Sequence, residues 1–358
     1  MSGPAIARPR VAPCAIDWRR WRLAVLAAVA VIALSPHGAP AAPRETPIRV
    51  DPRQLSALPS YVQRVEPAII GLSVEVAPDR PSAATLGTER WGSAVVFDAA
   101  GYAITVSYVL LDAERIEATL RDGRKIAARL VGLDLEVGIG VVKLDGAGPW
   151  PAATLGDSTK VTAGDVVGTV GTSDGGQLVA TPAHVDAVRP FSAAWEYMLD
   201  RAFVVSPYNA SFGGAALVDS AGLVIGVTSL RLGEAPYVNL AIPIEKFLPG
   251  KDELLAKGRV ASRRARPWLG LYTTAADRGI VISGVSPVGP ARSAGFRAGD
   301  VILKLNGEDV ATQEQFYQRL WQGSVEQEVQ IVVRRDQRVQ AITVRPTDRY
   351  RLFGTTGR

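Results

Sequence analysis

The sequence predicts a mainly β protein with two folded units. Between Ala68 and about Val227, short runs of β-branched and apolar residues are broken by Gly, Asp or Pro every eight to twelve residues or so, without intervening helices. This spacing is typical of antiparallel sandwiches or barrels. The 35 glycines and 24 prolines supply many turns. A chain of 358 residues is long enough for two domains with separate cores.

The first recognisable element is an apolar stretch near the N-terminus. Residues 23–34 (LAVLAAVAVIAL) follow a basic flank at 19–22, and this pattern matches a signal peptide better than a membrane span. Small residues at 39–42 offer a cleavage site, and an uncleaved signal anchor is the alternative. In both cases we expect the rest of the chain to be exported to the periplasm, soluble or anchored to the inner membrane by residues 23–34.

The positive charge of the chain lies mostly in that N-terminal segment. The net charge is +5, and residues 1–42 account for four of the five positive charges. The remaining chain is close to neutral, so the charge gives no case for nucleic-acid binding. The single cysteine, Cys14, precedes the apolar stretch. The exported part therefore forms no disulfide and no cysteine metal site.

The rest of the chain divides at a basic linker. Residues 54–66 are predicted to form a helical lead-in, residues 245–257 a terminal helix, and residues 258–267, with four arginines, an exposed connector. Beyond it, Thr312–Gln315 is a capping-box pattern that opens an amphipathic helix. The expected organisation is a signal segment (1–42), a spacer (43–53), a strand-rich domain (54–250), a helix with the basic linker (251–267), a small β-rich domain (268–346) and a tail (347–358).

Seven segments between about residue 56 and residue 346 form an ordered series. They are SYVQRVEPAIIGLSV, GSAVVFDAAGYAITVSYVL, TLRDGRKIAARLVGLDLEVGIGVVKL, ATLGDSTKVTAGDVVGTVG, SFGGAALVDSAGLVIGV, VNLAIPIEKF and GVSPVGPARSAGFRAGDVILKLNGEDV. In this order they resemble the HtrA (DegP-like) family of serine proteases. The resemblance implies a trypsin-like double β-barrel followed by one PDZ domain, which is β-rich with short helices.

The same resemblance places substituted residues at all three positions of the catalytic triad. Tyr108 stands where the family has the histidine of T-N-x-H-V-V, Gly138 where it has the aspartate of T-D-L-A-V, and Gly213 where it has the serine of G-N-S-G-G-P. A phenol has a pKa near ~10, so at neutral pH it cannot take up a proton as imidazole does. Glycine supplies neither a carboxylate nor a nucleophile. We therefore expect a degenerate triad.

A relocated catalyst is the alternative to a degenerate triad. His184 is the only histidine beyond the signal segment, but it matches a strand after the midpoint of the domain and not the base position. Ser211 lies two residues before Gly213, at the first glycine of the family's nucleophile loop. Asp134 and Glu136 are expected at exposed strand edges. One histidine without cysteines indicates no metal site, and no cofactor is expected.

Two binding features follow from the resemblance. The backbone N–H groups of Ser211 and Gly213 correspond to a residual oxyanion hole, and a collapsed loop with Phe212 filling the old cleft is the alternative. In a PDZ groove, the backbone N–H groups of a loop bind the C-terminal carboxylate of the peptide. Phe316 and Leu320 of the helix face either the groove or the core, whereas Trp268 is expected to anchor the core. The implied peptide-binding positions are Trp268, Leu269, Gly270, Leu271, Phe316 and Leu320.

The function expected from these residues is that of an exported pseudoprotease. It would be a non-catalytic scaffold, regulator or chaperone-like factor in protein quality control, binding protein C-termini or unfolded polypeptides through its PDZ domain. The family resemblance implies a homotrimer, in which three PDZ domains bind by avidity. The alternatives are a serine-type endopeptidase using Ser211 and His184, or a regulatory subunit of an active HtrA homologue. A membrane is expected as a partner only through an uncleaved N-terminal segment.

Overall fold

The computed structural model describes residues 48–49, 58–276 and 279–353. The predicted signal segment and most of the spacer lie outside the described residues. The first described element is a short strand, β1 (Ile48–Arg49). From residue 58 onward the chain forms two antiparallel barrels and a smaller separate sheet, so the mainly β fold class is confirmed.

Six antiparallel strands close the first barrel. They are β2 (Ile69–Glu75), β3 (Glu89–Asp98), β4 (Tyr102–Val106), β5 (Arg115–Thr119), β6 (Lys125–Asp134) and β7 (Ile139–Leu144). Their order around the barrel is β2-β3-β4-β7-β6-β5. The helical lead-in is present as α1 (Ser60–Val65), which buries Val62 and Val65, followed by a 3-10 turn at Glu66–Ala68. Two single-turn helices interrupt the barrel loops, α2 (Ala83–Leu86) and α3 (Ser107–Leu110).

The second barrel also contains six strands. They are β8 (Val166–Thr172), β9 (Leu178–Ala193), β10 (Tyr197–Ser206), β11 (Ala216–Asp219), β12 (Val224–Leu232) and β13 (Val238–Pro243). Their order is β9-β10-β13-β12-β11-β8, β8 pairs back onto β9, and β1 adds to the outside of β9. The interior is apolar, with Val185, Phe203 and Leu217 fully buried. After β13 come 3-10 turns at Ile244–Lys246 and Leu248–Gly250 and helix α4 (Lys251–Lys257).

One long strand of the second barrel was predicted only in part, because the sequence indicated a strand around His184 but not its full length. β9 runs for 16 residues, although it contains Pro182 and Pro190, and proline normally argues against a strand interior because it lacks an N–H donor. Pro182 lies opposite Gly168 of β8. The two prolines interrupt the strand pattern, so the sequence indicated the segment around His184 and not the 16 residues of β9.

The C-terminal unit is a small sheet with short helices. Its strands are β14 (Pro267–Trp268), β15 (Leu271–Ala276), β16 (Gly279–Val285), β17 (Val301–Leu305), β18 (Glu308–Asp309), β19 (Val329–Arg335), β20 (Arg338–Val344) and β21 (Thr347–Asp348). Its helices are α5 (Pro290–Ser293), α6 (Gln313–Gln322) and α7 (Tyr350–Phe353). The main sheet has the order β15-β16-β17-β19-β20, so β15 is an edge strand. The predicted cap is present: Gln315 N donates to Thr312 Oγ1 at 3.2 Å.

The linker arginines and the acidic pair before Gly138 differ from expectation. Asp134 and Glu136, expected at exposed edges, are 3% and 5% exposed. Arg263 Nη1 lies 2.7 Å from both Asp134 carboxylate oxygens, and Arg266 Nε lies 2.7 Å from Glu136 Oε2. Buried carboxylates need such partners, because an unpaired buried charge is strongly unfavourable. Arg263 and Arg266 therefore dock the linker on the first barrel, whereas Arg259 and Arg264 are exposed as expected.

The predicted tail begins with ordered structure. β21 pairs with β14, and in α7 the Tyr350 hydroxyl accepts a hydrogen bond from Leu135 N at 2.8 Å. Phe353 packs edge-on against Trp268, with ring centroids 5.8 Å apart. Residues 349–353 thus connect the C-terminal unit back to the first barrel. Within the described ranges, no helix is long and apolar enough to cross a membrane.

Candidate functional site

The cleft between the barrels brings two of the three predicted triad positions together. Tyr108 lies in α3, directly after β4, and a Cβ atom built on Gly213 would lie 3.0 Å from the Tyr108 hydroxyl. That hydroxyl donates to the Ser229 carbonyl oxygen at 2.8 Å. Burial raises the pKa of the Tyr108 phenol well above its usual value, and nearby Tyr208 raises it further. The phenol is therefore protonated at neutral pH and acts as a donor, not as a base.

The loop that carries Gly213 is tied to strands of both barrels. Ser93 N of β3 donates to the Gly213 carbonyl at 2.7 Å, and Gly214 N donates to the Thr228 carbonyl of β12 at 2.9 Å. Gly214 has φ +87°, and a Cβ atom there would lie 2.0 Å from the Ser93 carbonyl oxygen. Glycine is thus required at 214 for both its backbone conformation and its close approach to β3. The loop is held in one shape by the backbone.

The first of the two expected oxyanion-hole donors is already bonded within the protein. Ser211 N donates to Asn209 Oδ1 at 2.8 Å. Asn209 is fully buried and its own N–H donates to Asn239 Oδ1 at 2.8 Å, so its amide is fixed in place. In this conformation Ser211 N–H is not directed at a substrate carbonyl. Phe212, next in the loop, packs against Tyr208 with ring centroids 5.9 Å apart.

At Gly138, the third predicted triad position, the side chain of Tyr197 fills the space that a side chain would need. Gly138 has φ +87°, and a Cβ atom built there would lie 2.8 Å from the Tyr197 hydroxyl. That hydroxyl donates to the Val137 carbonyl at 2.6 Å, and the Tyr197 side chain is buried. Gly138 itself accepts a hydrogen bond from Ser107 N at 2.9 Å, beside Tyr108. The space for a side chain at 138 is therefore filled by Tyr197.

His184 and Ser211 lie on different elements. His184 is an exposed residue of β9, opposite Val166 of β8 and Ser206 of β10. Ser206 Oγ, the hydroxyl closest to it in register, donates to Asp186 at 2.8 Å. Ser211 belongs to the loop before β11, and no hydrogen bond between Ser211 and His184 occurs among the described residues. The structure does not bring the two together as a nucleophile and base.

In the C-terminal unit, most of the predicted peptide-binding side chains belong to the core. Phe316 and Leu320 of α6 are 0% and 1% exposed and pack with Leu269 and Leu271 in one cluster. Trp268 is also buried, as expected of a core anchor. Gly270 has φ +82° and a Cβ there would lie 2.9 Å from Gly289 Cα, so this tight loop requires glycine. What the loop offers to a ligand is its backbone.

The backbone N–H groups of this loop are bonded to a residue that the sequence analysis missed. Leu269 N donates to Glu196 Oε2 at 2.9 Å and Leu271 N donates to Glu196 Oε1 at 2.7 Å. Glu196 lies in the turn between β9 and β10 and is 2% exposed. Burial raises the pKa of its carboxyl to about 7, although the two loop N–H groups and the Arg349 charge act to lower it. Because Glu196 lies in a turn between two predicted strands, the sequence gave no sign that its carboxylate would bind the PDZ loop.

Comparison with known proteins agrees with this architecture. Residues 92–227 match the family model of the trypsin-like peptidase domain, and residues 267–345 match that of the PDZ domain. The solved structure "HtrA-type protease AlgW with tripeptide" has a TM-score of 0.50 and 29% identity, covering 81% of this chain and 97% of that one. The structure of AlgW with a decapeptide has a TM-score of 0.50 and 28% identity over 80% of this chain and 97% of that one.

Curated DegP-like proteins match most of this chain. A DegP-like protein of Marinomonas sp. (strain MWYL1), named a periplasmic serine endoprotease, is 30% identical over 278 residues, 72% of this chain and 58% of its own length. Its counterpart in Halomonas elongata is 29% identical over 270 residues, 71% of this chain and 55% of its own. This chain thus spans little more than half of those relatives. It carries a trypsin-like peptidase domain of the HtrA/DegP family followed by one PDZ domain.

Proposed function

We propose that this protein is an exported pseudoprotease of the HtrA type that binds peptide or protein segments through its PDZ domain without hydrolysing them. The observation that carries the proposal is the position of the Tyr108 hydroxyl beside Gly213. A protonated phenol lies 3.0 Å from the point where a nucleophilic side chain would begin, and glycine provides none. A covalent acyl-enzyme needs a side-chain nucleophile and a base to activate it.

Two further observations support the absence of hydrolysis. Ser211 N–H, one of the two expected oxyanion donors, is bonded to Asn209, and such a donor typically contributes about 3 kcal/mol to catalysis in serine proteases. The side-chain space at Gly138 is filled by Tyr197. The names of the relatives, which are serine proteases, favour the alternative of an endopeptidase with a rearranged site.

Peptide binding is proposed from the PDZ match and from the relatives. AlgW, which shares this organisation, was solved with a tripeptide and with a decapeptide. We further propose export, because the DegP-like relatives are named periplasmic proteins and residues 23–34 have the pattern of a signal segment. A trimer, or assembly with an active homologue, remains a proposal from family resemblance, which sedimentation of the purified chain alone and of its mixture with that homologue would test.

The test of the catalytic proposal is cleavage of casein by the purified full chain, together with labelling by a fluorophosphonate probe. An active HtrA homologue serves as the positive control. We expect neither fragments nor label. If both are observed and are lost in Ser211→Ala but retained in Ser220→Ala, an exposed serine of the next turn, the chain is a protease with a relocated nucleophile.

A further inference from the structure

The edge of the PDZ sheet is covered by a hairpin from the second barrel. Residues 193–197, here called the groove hairpin, join β9 to β10 and lie between the free edge of β15 and helix α6. Thr273 N of β15 donates to the Ala194 carbonyl at 2.8 Å. An unpaired edge strand is a template for an added strand, and here a turn of the same chain contacts that edge through this backbone hydrogen bond.

The carboxylate of Glu196 and the Ala194 carbonyl follow the register of an added strand. Leu269 N and Leu271 N bind the Glu196 carboxylate at 2.9 and 2.7 Å, and Thr273, two residues after Leu271, binds Ala194, two residues before Glu196. Residues 194 to 196 therefore proceed in the direction opposite to β15, as a turn and not as a paired strand, and they place a carboxylate on the loop. PDZ domains bind an extended C-terminal peptide by this combination of strand addition and carboxylate capture.

Helix α6 bonds the same hairpin from the other side of the groove. The Tyr317 hydroxyl lies 2.8 Å from the Ala193 carbonyl and 3.0 Å from the Ala194 carbonyl, and it accepts from Glu196 N at 3.1 Å. Gln313 Nε2 lies 3.4 Å from the Ala193 carbonyl. The backbone of the hairpin is thus satisfied by groups of the PDZ domain, as expected when polar groups are buried at a specific contact.

The backbone of Glu196 is unusual for its residue type. Its φ is +54°, in the left-handed region at the end of a three-residue hairpin loop, a position where glycine is preferred. A residue with a Cβ atom held there carries a conformational penalty, because the Cβ comes too close to the following carbonyl oxygen. The penalty is offset by the hydrogen bonds that its carboxylate receives from the PDZ loop.

From these contacts we infer that the groove hairpin is an internal ligand of the PDZ domain, with the Glu196 carboxylate in the place of a peptide's C-terminal carboxylate. The inference rests on the proposed peptide-binding function and adds that the groove hairpin competes with external peptides for the groove. An external ligand with a free C-terminal carboxylate must displace the hairpin before it binds. A groove that is open for a fraction of the time binds with its affinity reduced by that fraction.

The experiment compares the full chain with variants on both sides of the contact. Glu196→Gly removes the carboxylate and suits the left-handed backbone, so it does not strain the hairpin. Tyr317→Phe keeps the core volume and removes the hydroxyl. Glu234→Gly, in the exposed loop between β12 and β13, is the matched control. The two readouts are hydrogen exchange at single amides and binding of fluorescent decapeptides randomised at their last four positions, with free or amidated C-termini.

We expect the Leu269, Leu271 and Thr273 amides to exchange at least about tenfold faster in Glu196→Gly, and the free-carboxylate peptides to bind at least about tenfold more tightly than to the unmodified chain. Tyr317→Phe should shift both readouts in the same direction, and the amidated peptides should bind neither variant. Equal exchange and equal binding in the unmodified chain and Glu196→Gly would overturn the inference. Faster exchange without binding of any peptide would leave the internal ligand standing and refute the peptide-binding function.

Discussion

Substitution of Gly138 is expected to be unfavourable beyond the usual effect of losing a glycine. The position has φ +87°, and a Cβ atom there would lie 2.8 Å from the Tyr197 hydroxyl and 3.2 Å from two of its ring carbons. Contacts under 3.0 Å require the phenol to move. Because the hydroxyl bonds the Val137 carbonyl at 2.6 Å in a buried site, the ring cannot shift without losing that bond.

The expected magnitude for Gly138→Ala is the sum of two effects. A left-handed backbone disfavours a residue with a Cβ by about 1–2 kcal/mol, and the loss of a buried hydrogen bond adds about 1–1.5 kcal/mol. The free energy of unfolding should therefore fall by roughly 2–3.5 kcal/mol. Gly123→Ala is the matched control, since Gly123 has φ +83° and nothing within 4 Å of a Cβ. It should show the backbone effect alone, about 1–2 kcal/mol.

The assay is thermal and urea unfolding of the full chain, followed by tryptophan fluorescence. A difference of 1–1.5 kcal/mol between the two variants corresponds to roughly 2–6 °C in melting temperature for domains of this size. Combining Gly138→Ala with Tyr197→Phe removes the closest atom, so the two effects should be less than additive by about 1 kcal/mol.

Equal destabilisation by Gly138→Ala and Gly123→Ala would refute this reasoning. It would mean that Tyr197 moves aside without loss, and that a carboxylate at 138 is sterically admissible. Additive effects in the double variant would refute the assigned contact in the same way.

Three further outcomes are expected. Asp134→Asn should lower the free energy of unfolding by about 2 kcal/mol, because it weakens the charged hydrogen bonds with the half-exposed Arg263. Asp174→Asn, on an exposed turn, should have little effect in the same urea titration. Thr312→Ala should destabilise the PDZ domain by about 1 kcal/mol, measured as faster amide exchange in α6, because Gln315 N loses its cap. Burial raises the pKa of Glu196 in the docked groove hairpin to about 7, whereas a released glutamate has a pKa of about 4.3. The docked hairpin therefore favours the protonated side chain. Its docking is strongest below about pH 5 and weakens as the pH rises through 7. Peptide affinity of the full chain should therefore increase about tenfold or more from pH 5.5 to 8, and Glu196→Gly should remove that dependence; a flat profile in the unmodified chain would contradict it.

The sequence predicted the elements whose signal is local. Strands such as β2 and β7, and the capped helix α6, follow from β-branched runs and from the Thr312 cap, which depend on neighbouring residues alone. The family resemblance located Tyr108 and Gly213, and the structure places them side by side, with the Tyr108 hydroxyl 3.0 Å from a Cβ atom built on Gly213. The sequence indicated a strand around His184, but the prolines of β9 obscured its full length.

Contacts between domains could not be predicted in the same way. Arg263 and Arg266 have the composition of an exposed connector, and their burial depends on carboxylates more than a hundred residues earlier in the chain. Glu196 resembles any polar turn residue until the PDZ loop is placed beside it. Pairing across such separations is decided by the packing of whole domains, and a single sequence does not encode it in any short pattern.

The position of Tyr197 also limits which sequences are reachable by single changes. A carboxylate at 138 is admissible only after the phenol has been replaced, and replacing the phenol first leaves the Val137 carbonyl without its donor. Each first step is therefore unfavourable by itself, in either order. The Gly138–Tyr197 pair therefore resists any single substitution that adds a side chain at 138.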